Sequence, residues 1–350
     1  MRWSVYQIAD YPGDIWSDWQ SLAARHHAAN PMLDADYVKR LVKYFGDVAC
    51  LHVLVGQQDG GTAALALVEP TGLGRWWIFR PAQAQIALLV CSPSVRVDFA
   101  SLLGAFPRLC IRLDTFSLDP REHAPFFLDS PVVERKSGAR NICVDVTGGF
   151  DSFWESRPRN LKKNIRRYRN RLNDELGDLK MLVACAPADV SSATDRYGIL
   201  ESQGWKARIG TAVHPGNVQG AFYRSFMFEM AVHSRAYVFE LYAGDLLLAS
   251  RLCVSGSDML VILKTTFDEQ LKRYAAGRIL LHDMLQYVFD NNLARVVDFY
   301  TNATDDQMDW ATSSRSMLHA SIYQSVATKL IARGLKSAKD FMKHVLPGHT

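Results

Sequence analysis

No apolar run in this 350-residue chain approaches the roughly 20 residues needed to span a bilayer, which argues against a membrane-helix bundle. The opening residues, MRWSVYQIAD, lack the apolar segment of a secretory signal, so a cytoplasmic location is expected. Cysteine is sparse. The six residues Cys50, Cys91, Cys110, Cys143, Cys185 and Cys253 include no C-x-x-C pair. That spacing suits neither a zinc site nor a disulfide framework, and reduced thiols are expected. The ten histidines form no H-E-x-x-H or comparable ligand pattern, so no metal is expected. Low-complexity tracts are also missing. What remains is the composition of an ordinary globular protein, 48% hydrophobic and 22% charged, long enough to favour two domains over one core.

One local absence is more informative. From Ser156 to Asn173 there is no acidic residue, and residues 157–172 read RPRNLKKNIRRYRNRL, half of them cationic. The whole chain carries only +4, so this charge is concentrated. A cationic helix without interspersed acids is not a face of balanced ion pairs, and it points to an anionic partner. Its apolar residues Leu161, Ile165, Tyr168 and Leu172 form a narrow stripe, suited to docking on a domain core. Nucleic acid, a membrane surface, a substrate cleft and a merely solvated face all remain open readings.

Hydrophobic periodicity alternates strand and helix along the chain. Strands are expected at residues 3–8, 51–55, 62–68, 76–79, 86–90 and 109–113, and helices at 15–27, 34–45 and 97–103. Gln57-Gln58-Asp59-Gly60-Gly61 is a hairpin signal. Prolines 120, 125 and 131 with Gly138 suggest a boundary at residues 119–139. A second series follows. Strands are expected at 141–146, 181–185, 237–243, 246–254, 259–266 and 295–300, and helices at 150–175, 190–203, 222–234 and 278–291. A helical tail is read over 316–345. The halves resemble each other in element order, as in a duplicated α/β architecture.

Two segments carry candidate chemistry. Residues 259–291 read as strand, basic loop and helix start. Such a junction offers free N–H groups and the positive end of a helix dipole to a pyrophosphate. Lys272, Arg273 and Arg278 would add charge-assisted bonds, with Gly277 at the turn. The strand at 295–300 would lie beside the first, and a splay between the two can admit an extended acyl-pantetheine arm. The bland alternative is an ordinary strand-loop-helix whose glycine serves packing. The second segment is Glu201-Ser202-Gln203-Gly204-Trp205-Lys206 at a helix end. Its carboxylate can accept a proton from an amine nucleophile. Alternatively Glu201 pairs with a cation and Trp205 fills core.

Taken together, these segments resemble the acetyltransferase-like proteins of the GNAT superfamily grouped around a cellulose-biosynthesis-associated protein, relatives of the peptidoglycan-bridge aminoacyl transferases. The resemblance is strongest over residues 144–310. An R-x-L-R-R-like basic run is matched by residues 160–167, including Arg166 and Arg167, and E-x-x-x-W-K by Glu201, Trp205 and Lys206. K-x-x-F-D is matched by Lys264, Phe267 and Asp268. The Y-x-P-G-x-x-L loop is met by residues 274–280, with Ala276 in place of the proline. The D-F strand is met by Asp298 and Phe299, and N-P-F-L by residues 30–33. The glycine and lysine that usually follow D-F are not found, and the glycine-rich phosphate loop is poor.

The resemblance implies an α/β (α+β) fold of tandem GNAT-like domains, with mixed central sheets flanked by helices and a helical C-terminal tail. The expected domains are residues 1–138, 139–315 and the tail 316–350. It also implies an N-acyltransferase moving an acyl group from acyl-CoA to an amine acceptor in envelope or exopolysaccharide metabolism. Glu201 would be the general base, with Lys206 also at the catalytic centre. Lys272, Arg273, Gly277 and Arg278 would hold the cofactor phosphates. Arg166, Arg167, Trp205, Lys264 and Asp298 would contact substrate. Backbone N–H groups of residues 259–266 would stabilise the oxyanion. Aminoacyl transfer from charged tRNA, with the basic helix on RNA, is a second expectation; no DNA partner is implied. A third is a non-catalytic binding or assembly protein, which the missing residues after Asp298-Phe299 favour.

Overall fold

The computed structural model describes residues 1–126, 129–204 and 212–345, with side chains through residue 335 in the last helix. The first half runs β1 (Arg2–Gln7), α1 (Ile15–His26), α2 (Ala35–Phe45), β2 (His52–Gln58), β3 (Gly61–Gly72), β4 (Arg75–Ile78), β5 (Leu89–Cys91), α3 (Phe99–Gly104) and β6 (Arg112–Leu118). Then come β7 (Val133–Asp145), α4 (Phe150–Glu155), α5 (Arg159–Leu176), β8 (Leu179–Ala184), α6 (Pro187–Ser202), α7 (Val218–Val232), β9 (Ala236–Ala243), β10 (Leu246–Ser255) and β11 (Met259–Phe267). The chain continues with α8 (Ala276–Asp290), β12 (Val296–Asp298), α9 (Asp305–Met308), β13 (Ser313–Tyr323) and α10 (Val326–Val345).

Two compact units result. The first holds Met1–His27, Phe45–Ala139 and the chain from Ser316. Its strands lie in the order β1-β2-β3-β4-β6-β13, with β5 on β3. The pairing is antiparallel except between β4 and β6. The β2–β3 hairpin closes through Asp59 and Gly60, both at positive φ, which a two-residue turn of this hand requires.

The second unit holds Ala28–Tyr44 and Arg140–Arg315, with strand order β7-β12-β11-β10-β9-β8. β11 and β12 are parallel and the other pairs antiparallel, so this sheet is also mixed. Helices cover both faces. Phe150, Leu161, Ile165, Ile279 and Leu285 from α4, α5 and α8 share a core with Phe239, Leu241 and Leu260 of the sheet. Glu240 lies between Phe239 and Leu241 and accepts 2.9 and 2.6 Å hydrogen bonds from Arg196 of α6. Strand alternation therefore puts α6 on the opposite face.

The structure departs from the sequence expectations at several points. The helix expected over 150–175 is two, because Pro158 lacks an N–H and keeps its predecessor out of helical geometry. Residues 316–323 are strand, not the start of a helical tail, because β13 pairs with β6 (Leu318 opposite Leu118, Ile322 opposite Leu113). β7 runs through the expected boundary, and the two units divide within it between Ala139 and Arg140. Residues 28–44 belong to the second unit, because Tyr37 of α2 packs 4.8 Å from the Phe226 ring. Among the described residues no helix is long and apolar enough to cross a membrane.

Candidate active site

The site begins where two strands part. β11 and β12 pair only over Met259–Val261 and Val296–Asp298. β11 runs on to Phe267, whereas the chain after Asp298 turns away through Tyr300, held at φ 38°. A register shift opposite Leu252 and Cys253 lets Leu263 out of the ladder, and such bulges re-aim a strand. A cavity of about 390 Å³ is lined from the far end of β11, the start of α8 and the segment after β12. Its walls include Phe267, Leu281, Phe299 and Trp310, and its cations are Arg251, Lys272 and Arg278. This combination of apolar walls and a few convergent polar groups is the usual make-up of a ligand site.

α8 forms the phosphate-sized end. A short 3-10 turn over Glu269–Tyr274 ends in Ala275, which adopts a left-handed conformation (φ 52°, ψ 39°) to start the helix. Among the described residues no side chain caps α8, so its first N–H groups keep the anion affinity of an open helix start. Arg278 donates to Asp306 at 3.1 Å, and among the described residues its buried Nε has no partner. Gly277 lines the cavity, and a Cβ there would meet nothing closer than Phe267 at 3.7 Å. The packing explanation for this glycine therefore fails. Gly277→Ala is expected to raise stability by about 0.5–1 kcal/mol, as removing a helical glycine does, and to weaken donor binding along the exposed backbone. Chemical unfolding and titration of one sample would read both.

Arg273, expected beside Lys272, turns the other way. It donates to Glu175 at 2.9 Å and lies over the Tyr274 ring, while the Tyr274 hydroxyl donates to the same carboxylate at 2.6 Å. It ties the loop to α5 and does not line the cavity. Asp298, expected to meet substrate, is fully buried. It accepts from the Tyr300 N–H at 3.0 Å and lies 2.9 Å from Nη1 of Arg315. Arg166 and Arg167 are exposed on α5, along a separate groove shared with Lys163, Asn170 and Arg171.

Glu201 is 2% exposed, accepting from the Tyr197 hydroxyl at 2.8 Å and from the Val213 N–H at 2.7 Å. Burial first, and then the Glu201 charge, hold the Tyr197 and Tyr223 hydroxyls far above the ordinary tyrosine range. Lys264 sits nearby, 5.4 Å from the Tyr223 ring. Neither Glu201 nor Lys264 lines the α8 cavity. Trp205 and Lys206 lie outside the described residues.

Sequence reasoning missed Arg251. A lone cation within LLLASRLCVS was the available signal, since buried strands seldom carry an arginine without a task. Its Nη1 donates to Thr265 Oγ1 at 2.9 Å and its Nη2 to the Gly277 carbonyl at 3.0 Å.

Residues 159–308 match the acetyltransferase (GNAT) domain family. The matched segment runs from α5 through α9 and contains every residue that lines the cavity except Trp310. Among solved structures the chain is similar to FemX, at 9% identity and a TM-score of 0.56, covering 91% of this chain and 98% of that one. It is similar to the C-terminal DUF2156 domain of a putative lysylphosphatidylglycerol synthetase from Agrobacterium fabrum, at 12% identity and TM-score 0.54, covering 91% and 96%. L-PGS from Bacillus licheniformis follows at 10% identity and TM-score 0.51, covering 91% and 96%. No curated protein matches. At such identities these likenesses bear on fold alone. The fold class is the expected one, mixed α/β sheets flanked by helices, with a GNAT domain matched over residues 159–308.

Proposed function

We propose that the chain is an N-acyltransferase that takes an acyl group from an acyl-CoA thioester to an amine. The observation that carries this reading is the cavity opened by the parting of β11 and β12 beneath the uncapped start of α8. Lys272, Arg278 and the α8 N–H groups meet the donor phosphates. The pantetheine arm lies between the parted strands along Phe267 and Phe299. The acceptor nitrogen bonds to the thioester carbonyl carbon, the C–S bond breaks, and the thiol leaves with the proton the amine gives up. N–H groups of β11 face the developing oxyanion. Glu201 holds the end of α6 to Val213 and positions the acceptor side. An envelope or exopolysaccharide amine is the proposed acceptor, on the motif resemblance alone.

Thermal unfolding of the full chain with acetyl-CoA and longer acyl-CoAs tests this. Saturable stabilisation is expected. A charge-assisted hydrogen bond contributes about 1.5–3 kcal/mol, so Lys272→Ala and Arg278→Ala should each weaken binding by about tenfold or more. Arg273→Ala should leave it unchanged. No stabilisation by any acyl-CoA would refute the donor assignment.

A second reading has its own support. Lys163, Arg166, Arg167 and Arg171 are exposed on one helix, and among the described residues none has an ion-pair partner. Aminoacyl transfer from charged tRNA would use such a surface against phosphates. It predicts tRNA binding that weakens steeply with salt and is relieved by Arg166→Ala with Arg167→Ala.

A further inference from the structure

The last helix shows its apolar side to solvent. In α10, Leu330, Ile331 and Leu335 are 60%, 64% and 69% exposed, and Val326 is exposed as well. A Cβ added at Gly334, one turn after Leu330 and Ile331, would meet no neighbouring atom within 4 Å. The side held against its own unit is the basic one. Lys329 Nζ donates to the Pro131 and Val133 carbonyls at 2.8 and 2.7 Å, and Arg333 Nε lies 3.8 Å from a Glu134 carboxylate oxygen. A helix docked on a core buries its apolar stripe and shows its charges, so α10 is reversed. Rolling it over to bury that stripe on its own unit would break these contacts.

The sequence of the remaining turns repeats the pattern. Ala338, Phe341, Met342 and Val345 continue the three- and four-residue apolar spacing. Lys329, Arg333, Lys336, Lys339 and Lys343 recur at the same spacing but out of step with it, and Asp340 is the only acid from Val326 to Val345. An exposed apolar stripe backed by Lys and Arg is the make-up of a helix that lies in a membrane interface. Five cations within the 20 residues of α10 preclude a span.

We propose that α10 seats on an anionic phospholipid bilayer, lying in the membrane plane with its apolar side at the headgroup boundary. Charge selects this occupant. A second copy would set five cations against five with one acid on each side, whereas paired helices need opposite charges flanking their seam. An anionic surface supplies the missing sign. Its potential reaches about 8–10 Å in physiological salt, comparable with the helix diameter of about 10–12 Å, so cations away from the lipid are attracted too. Long basic side chains at the edge of the stripe reach back to the headgroups. This anchor is independent of the acyltransferase reading and holds the protein at a membrane whatever reaction the α8 cavity serves.

Co-sedimentation of the full chain with lipid vesicles decides the matter. Vesicles of phosphatidylcholine and phosphatidylglycerol in equal parts should bind at least about tenfold more tightly than pure phosphatidylcholine, since each basic residue near an anionic surface contributes about a factor of five. Leu330→Ser with Ile331→Ser should weaken that binding by about tenfold or more, because two apolar side chains no longer leave water. Both positions are exposed, so the melting temperature should not change, and Leu335→Ser gives a second probe of the same stripe. Lys336→Gln with Lys339→Gln should cut the preference for anionic vesicles by about tenfold. No binding to either vesicle, or equal binding to both, overturns the proposal. Binding that survives the serine changes in a folded protein belongs to the α5 cations and overturns it too. So does a dimer in lipid-free sedimentation that Leu330→Ser with Ile331→Ser dissolves, which would give the stripe to a second copy.

Discussion

Asp298→Ala is expected to destabilise the protein by about 3–5 kcal/mol, the usual cost of removing one partner of a buried ion pair. The Asp298 side chain has no solvent exposure, and that of Arg315 has 12%. Without the carboxylate, the guanidinium loses the counter-charge 2.9 Å away and stays beside the Tyr300 ring, 5.1 Å from its centroid. The Tyr300 N–H loses its acceptor as well, at a residue already held in left-handed geometry. Because Asp298 ends β12 at the point where β11 and β12 part, the damage should extend to the cavity. Urea unfolding of Asp298→Ala, Arg315→Met and the double variant measures it. The double variant should recover part of the loss, since no charge is then stranded. If Asp298→Ala is as stable as the parent to within about 1 kcal/mol but inactive, the carboxylate belongs to substrate binding after all.

Asp298 also marks how far the sequence could be read. Its position at the end of a strand is legible from Val296-Val297-Asp298-Phe299, and so is the basic loop before α8. Which cations serve a ligand is not legible, because that depends on partners far away in the chain. Lys272 and Arg273 are adjacent, yet Glu175 claims only the second. Asp298 looks available until Arg315 is found beside it. Arg251 gives the converse case. A single cation in an apolar strand is visible, but its bond to the Gly277 carbonyl emerges only once the surroundings are assembled.

Secondary structure follows the same division. α5 buries Leu161, Ile165 and Leu172 in one stripe, so local periodicity suffices to place it. β13 reads as helix because no glycine or proline separates it from α10, and what makes it a strand is pairing with β6, some two hundred residues earlier. The polar start of β7, Val-Glu-Arg-Lys-Ser-Gly, reads as linker for the same reason. Long-range pairing overrides local preference in both places.

Glu201 provides the other large effect. Glu201→Ala is expected to cost about 2–5 kcal/mol, because two buried donors lose their acceptor at about 1–3 kcal/mol each. The Tyr197 hydroxyl remains protonated, held there by burial, and cannot relieve the loss by ionising. The Val213 N–H, twelve residues along the chain, loses the bond that fixes it to α6. Glu201→Gln should behave differently. Its amide oxygen can keep the Val213 bond, and its amide nitrogen can donate to the Tyr197 oxygen with the hydroxyl rotated. Stability within about 1 kcal/mol of the parent is expected, the net worth of one exchanged hydrogen bond. A carboxylate that positions should then lose less than tenfold in turnover. A carboxylate that takes the amine proton should lose about 100-fold or more. Steady-state rates of the folded glutamine variant across pH separate these outcomes, because a loop anchor changes KM and leaves the profile in place, whereas a base changes its shape.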